Sequence, residues 1–183
     1  MKKLIIIPLL LLSLSLTAPT LDWRTRLDNK YDRLKYYEEL LYQRELDKYA
    51  HHLAYKESRN NWKVINDYGY MGAFQHGTDI LSDFGLDITP EAFRADSSIF
   101  PPELQYKVLM AQIKVQTIQL RKFDAWIGHE VGGVVITRAG MLAATHLGGL
   151  GAVRDFLYYG IDRADGNGTR ISDYLNEFSI YEL

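Results

Sequence analysis

The 183-residue chain contains no cysteine. Neither a disulfide nor a lipid-attachment thiol can form, so a folded domain must be held by packing and hydrogen bonds alone. Its longest apolar stretch, Leu4 to Leu16, is shorter than the about 20 residues a helix needs to cross a bilayer. A strong charge of either sign is also missing: the formal net charge is -2 and the pI about 6.2, which gives no electrostatic footprint for nucleic acid. Sustained period-two alternation, a series of β-branched runs and internal repeats are all absent, which excludes an all-β or solenoid reading. Metal-ligand spacing is lacking too. His51 and His52 are adjacent and diverge by about 100° on a helix, while the Asp165, Asn167, Thr169 pattern has Arg170 and Asn176 where a calcium loop requires Gly and Glu. No cofactor or metal is expected, and Asp165 to Gly168 reads as a tight turn.

What is present begins with Lys2-Lys3 followed by the apolar run, a secretory signal pattern over residues 1–18 that predicts an exported protein, periplasmic or secreted. Ala18 is a suitable small residue for cleavage but Pro19 follows it, leaving an earlier cut or an uncleaved anchor open. The remaining length suits one domain with a full core. Aromatic residues make up 13% of the chain and include thirteen tyrosines, whose flat faces and hydroxyl tips suit sugar rings as well as ordinary helix packing.

Helical spacing runs from Leu27 to Lys56 without Pro or Gly, predicting one long helix or two joined near Arg44. Residues 19–45 read as a charged helical extension and 46–183 as the main domain. A short helix is predicted from Gly77 to Asp83; another starts at Thr89-Pro90, and a long one runs from Pro102 to about Trp126. Thr137 caps a helix ending at Gly148-Gly149, Leu150 to Tyr159 forms the next, and Thr169 is expected to cap the last, Arg170 to Phe178. The fold class is mainly α, with at most a small hairpin between Val64 and Gln75.

One stretch organises this pattern. Glu57-Ser58 stands where the long helix ends and an aromatic, glycine-rich segment, Tyr68 to Gln75, begins. A carboxyl there is a candidate general acid. The negative end of the helix contributes only about 0.3–1 kcal/mol toward holding its proton, so burial against Phe74, Tyr70 or Trp62 has to supply most of the shift such a role needs.

Glu57-Ser58, then Gly72-Ala73-Phe74-Gln75, then Ala143-Ala144-Thr145-His146-Leu147-Gly148-Gly149 resembles the three-motif pattern of soluble lytic transglycosylases, in the lysozyme-like superfamily. In that family the motifs are typically Glu-Ser, Gly-Leu-Met-Gln and Ala-Tyr-Asn-Ala-Gly. The likeness spans roughly Leu46 to Tyr159. Phe74 stands in place of Met, and Thr145-His146 in place of Tyr-Asn; Thr145 is too short to reach the acid as the family's Tyr does.

The resemblance implies a lysozyme-like helical domain that binds peptidoglycan strands and cleaves the β-1,4 bond between N-acetylmuramic acid and N-acetylglucosamine, leaving a 1,6-anhydro end. Glu57 would be the catalytic residue, with Ser58, Tyr70, Phe74, Gln75, Thr145, His146 and Tyr174 in the substrate groove. A monomer is expected, and an envelope protein partner stays open. Two alternatives stand beside this reading. A hydrolytic muramidase would need a second carboxylate, for which Asp67 is nearest in sequence; a noncatalytic glycan-binding or assembly protein would keep the groove without turnover.

Overall fold

A computed structural model describes residues 23–183, so the segment read as a leader lies outside the described residues. The chain divides into two units, Met1–Glu39 and Leu40–Leu183. The described part of the first is helix, with every residue from Arg24 onward exposed. The second holds the core. It is mainly α-helical, with one small antiparallel sheet.

Helix α1 runs without a break over Trp23–Ser58, as a stretch free of Pro and Gly allows. Burial begins at Leu46 and continues through Tyr49, Ala50, Leu53 and Ala54, an i, i+3, i+4, i+7, i+8 stripe. Glu57 takes the next place on that stripe. The helix then stops because Arg59 and Asn60 both adopt left-handed φ, 57° and 61°, and their N–H groups close onto Tyr55 O and Ala54 O.

Short helices α2 (Thr78–Asp83) and α3 (Pro90–Ala95) follow, the latter capped by Thr89 Oγ1 accepting from Ala92 N at 3.2 Å. Together with residues 61–76 they enclose a small cluster of Met71, Leu81, Ile88, Phe93, Phe100 and Val108. Truncating one of its phenylalanines would cost about 3–5 kcal/mol. Helix α4 (Pro102–Leu120) contributes Val108 to this cluster and Leu109, Ile113 and Leu120 to the main core, so it is the strut between them. A 3₁₀ segment, Arg121–Trp126, completes the stretch expected to be one helix.

The hairpin lies elsewhere than expected. Strands β1 (Glu130–Val131) and β2 (Val134–Val135) pair around Gly132-Gly133, whose φ values of 58° and 81° fit the left-handed two-residue turn that matches strand twist. Between Val64 and Gln75 only single bridges form, Ile65 with Met71 and Met71 with His76.

Helix α5 (Arg138–Tyr159) is capped by Thr137 and kinked at Gly149, where φ is 72° and ψ 169°. Helix α6 (Ile171–Glu177) packs against it. A Cβ on Gly140 would stand 2.5 Å from Leu175 O, and one on Gly148 would stand 2.6 Å from Ile171 Cδ1. Gly140, Ala144 and Gly148, two helical turns of small residues, therefore seat α6 closely. Thr169 does not cap that helix: its N–H donates to Asp165 Oδ1, and the first residue outside the helix is Arg170, whose N–H donates to Asp173 Oδ2 at 2.8 Å. The helix starts one residue later than expected, which puts the Thr169 hydroxyl one place before the cap, and Asp173 meets the N–H of Arg170 instead.

Candidate active site

Glu57 reaches the edge of the core because the stripe that buries Leu53 also carries the position one turn later. Its side chain is 15% exposed. Tyr174 of α6 donates its hydroxyl to Glu57 Oε1 at 2.6 Å. Burial first, and then the adjacent Glu57 charge, push the Tyr174 hydroxyl well above the ordinary tyrosine range, so it stays a donor. Fully buried Tyr49 is raised by the same two causes in the same order.

Tyr174 is held from behind. Its ring stacks on Phe178 at 5.6 Å between centroids, and Lys56 Nζ lies 4.7 Å from the ring centre. Lys56 also donates to Glu177 Oε2 at 2.5 Å, while the ring of His52 bonds Glu177 Oε1 and the Tyr181 hydroxyl. This network ties the end of α6 to α1, fixing the distance between Tyr174 and Glu57.

Residues 72–75 form the second wall. Gly72 has φ 78°, and a Cβ there would overlap the carboxamide of Gln105 at 2.4 Å. Gln105 is fully buried on α4: its Oε1 accepts from Ala73 N at 2.7 Å, and its Nε2 donates to Trp62 O and Phe100 O. One side chain thus ties the loop at Ala73 to Trp62 and to Phe100. Ser58 ties the same loop to α1, its hydroxyl placed 3.0 Å from Ala54 O and 2.9 Å from Ala73 O.

His146, carried by α5, donates Nε2–H to Phe74 O at 2.9 Å; the same nitrogen lies 4.0 Å from Glu57 Oε1. The carbonyl can only accept, which assigns the proton to Nε2. Nδ1 is buried without a partner.

A cavity of about 390 Å³ opens between these walls, lined by Glu57, Tyr70, Gln75 and His146 on one part and by Asp165 and Asn167 on another. A second cavity of about 340 Å³ adjoins it on the side of Tyr55 and Arg59, sharing Glu57, Asp165 and Asn167. Across the rim of the central cavity the exposed Tyr68 comes so close to Gly166 that an added Cβ would stand 2.5 Å from the tyrosine oxygen.

Set against the sequence reading, Glu57, Tyr70, Gln75, His146 and Tyr174 meet around this groove. Gln75 keeps its Nε2 on Gly72 O at 2.8 Å, in a left-handed backbone. Phe74 turns instead into the main core, 5% exposed, its ring edge-on to His76, because an apolar side chain there gains more from the core than from solvent. Ser58 spends its hydroxyl on backbone carbonyls rather than on Glu57. Thr145 is buried, bonded to Met141 O at 2.7 Å, and lines neither of these two cavities. Asp67 is exposed and does not line the central cavity. Gln105 and Asp165 were missed. The signal for Gln105 was a polar residue at an apolar place in the α4 spacing; Asp165 was read only as a turn residue, and that turn borders the groove.

A mainly helical domain with a single tyrosine-bound carboxylate in a polar groove is what fold and site define. No protein family, curated protein or solved structure matches the chain.

Proposed function

We propose that this protein is an exported peptidoglycan lytic transglycosylase, cleaving the β-1,4 bond between N-acetylmuramic acid and N-acetylglucosamine without water. The observation that carries the reading is Glu57: one largely buried carboxyl, oriented by the Tyr174 hydroxyl at 2.6 Å, in the wall of a groove with openings on either side.

Glu57, protonated, donates its proton to the bridging oxygen as the bond to C1 breaks. The substrate's own N-acetyl oxygen attacks C1 and holds the developing charge. The Glu57 carboxylate then takes the proton of the muramic acid 6-hydroxyl while O6 bonds to C1 and the acetamido oxygen leaves. Glu57 ends protonated, and no water is consumed. Through both steps the hydrogen bond from Tyr174 to Oε1 leaves Oε2 to exchange the proton.

A second reading keeps the groove and changes the acceptor. Asp165, not Asp67, is the carboxylate that shares the central cavity with Glu57, and as a base it would activate water for hydrolysis. Its Oδ1 already accepts from Asn167 N at 2.9 Å and Thr169 N at 2.8 Å, leaving Oδ2 for such work.

Digesting purified cell-wall sacculi and weighing the products tests both. Anhydro ends support the first reading, and reducing ends lost in Asp165→Asn support the second. Intact strands after wild-type treatment refute both, and retained binding would then indicate a glycan-binding module. Glu57→Gln should keep fold and glycan binding while lowering release at least about 100-fold.

A further inference from the structure

Helix α1 shows large apolar side chains to solvent well before its core stripe begins. Every residue from Arg24 to Arg44 is exposed, among them Leu27, Tyr31, Leu34, Tyr37 and Leu41, at 53% to 67%. A helix that meets only water does not need such residues along one side.

Their spacing is regular. Leu27, Leu34 and Leu41 recur every seven residues, and the positions three and four after a leucine share its face. Those positions hold Lys30 and Tyr31 after Leu27, then Tyr37 and Glu38 after Leu34. Read outward from Leu34 in either direction, the face therefore presents the same order of groups: an aromatic ring, a charge, a leucine. Only the sign of the charge differs, Lys30 on one side and Glu38 on the other.

A twofold axis at Leu34 turns that order into contacts. In an antiparallel pair about it, Leu34 meets Leu34, while Tyr31 meets Tyr37, Lys30 meets Glu38 and Leu27 meets Leu41, each of these occurring twice, as an interface between identical surfaces requires. A parallel pair in register would set lysine against lysine and glutamate against glutamate. Charged residues inside an apolar seam fix direction and register in this way, and no ion pair among the described residues occupies either Lys30 or Glu38. A lipid surface is the poorer fit, because the carboxylate of Glu38 lies within the face that would have to enter it.

We infer that Leu27 to Leu41 of α1 is a self-association surface, pairing antiparallel with a second copy of this chain about Leu34, in place of the monomer expected from the sequence. The inference concerns assembly and does not depend on the cleavage chemistry.

Sedimentation equilibrium and cysteine crosslinking of the full chain test it. An interface this small belongs with the transient ones, so the dimer should form with a dissociation constant of about 1–100 μM. Leu34→Lys, at a position exposed in the single chain, should weaken it at least about 100-fold and leave the melting temperature of the dilute protein unchanged. Lys30→Glu and Glu38→Lys should each weaken it about tenfold, and the two together should restore it, because the exchange regenerates both pairs. Since the chain has no cysteine, a single introduced one reports the register. Leu34→Cys should oxidise to a disulfide-linked dimer, whereas Leu27→Cys should not, its two copies standing about 21 Å apart along the pair. A single-chain mass even at about 500 μM, a dimer indifferent to Leu34→Lys, equal crosslinking by the two cysteine variants, or charge reversals that fail to rescue each other would each overturn the pairing. Binding to phospholipid vesicles by a protein that stays monomeric, lost in Leu34→Lys, would assign the face to a lipid surface and overturn it as well.

Discussion

His76 gives the protein an acid sensitivity that can be calculated. It lies 1% exposed between Phe74, Phe100 and His146, and burial first, then the neighbouring imidazole, lower its pKa from 6.5 to about 3. Between those two values the unfolded chain binds a proton that the folded chain refuses. The associated stability is fully present above about pH 6.5 and is lost as pH falls toward 3. Lowering the pH from 7 to 5 should remove about 2 kcal/mol through this one group, at 1.36 kcal/mol per pKa unit. That figure barely changes if the folded pKa is anywhere below about 4, because at pH 5 the folded ring is neutral in every case. Urea unfolding at pH 7 and pH 5 measures it in wild type and in His76→Leu, where nothing at the position titrates. Carboxylates contribute equally to both proteins and cancel in the comparison. The wild type should lose about 2 kcal/mol more than the variant over this interval; equal losses would refute the buried, neutral ring.

Tyr174→Phe keeps the stack on Phe178 but removes the donor to Glu57; a hydrogen bond to a charged group contributes about 1.5–3 kcal/mol, so turnover on sacculi should fall about 10- to 100-fold with KM little changed, and an unaltered rate would remove Tyr174 from the machinery. His146→Ala deletes the bond to Phe74 O and the imidazole 4.0 Å from Glu57; about a tenfold loss of turnover with little change in melting temperature is expected, and a lower melting temperature with a normal rate in the folded fraction would make the residue purely structural. Gly72→Ala forces a methyl into the Gln105 carboxamide at positive φ, and thermal unfolding should register a loss of at least about 2 kcal/mol. Gly166→Ala should displace Tyr68 and widen the rim, read as faster proteolysis of the Asn66 to Tyr70 loop at unchanged global stability.

Much of the fold could be read from local punctuation. Thr89-Pro90, Pro101-Pro102, Thr137 and Gly160 mark helix ends where they were expected, because caps and breakers act on their own turn. What needed a distant partner was not legible. Gly132-Gly133 signalled only a broken helix until Ile136 and Val134 were buried and the flanking residues paired. The Val64 to Gln75 segment has strand-like composition, yet Gln105 claims the Ala73 N–H that a ladder would need. Within the site, Glu57 could be found from its place on the α1 stripe and Tyr70 and Gln75 from their nearness in sequence. Tyr174 came only from resemblance, since its approach depends on Gly140 and Gly148 letting α6 settle against α5.

That last dependence bears on one departure from the pattern that the chain resembles. Thr145 stands where a tyrosine would reach across, and its hydroxyl is turned back onto its own helix. A tyrosine inserted there would have to displace a buried side chain, 6% exposed, in the densest part of α5. The hydroxyl that Glu57 receives comes instead from α6, and it is delivered by small residues two turns apart on the helix that lacks the tyrosine. Donor position and helix seating are thus one structural variable. Any change that lifts α6, whether at Gly140, Gly148 or the Lys56–Glu177 pair, lengthens the bond to Glu57 before it disrupts the core. Small displacements at a reacting centre cost more rate than they cost stability, so activity should fail ahead of folding along this series, and the order of loss should follow how directly each residue sets the position of Tyr174.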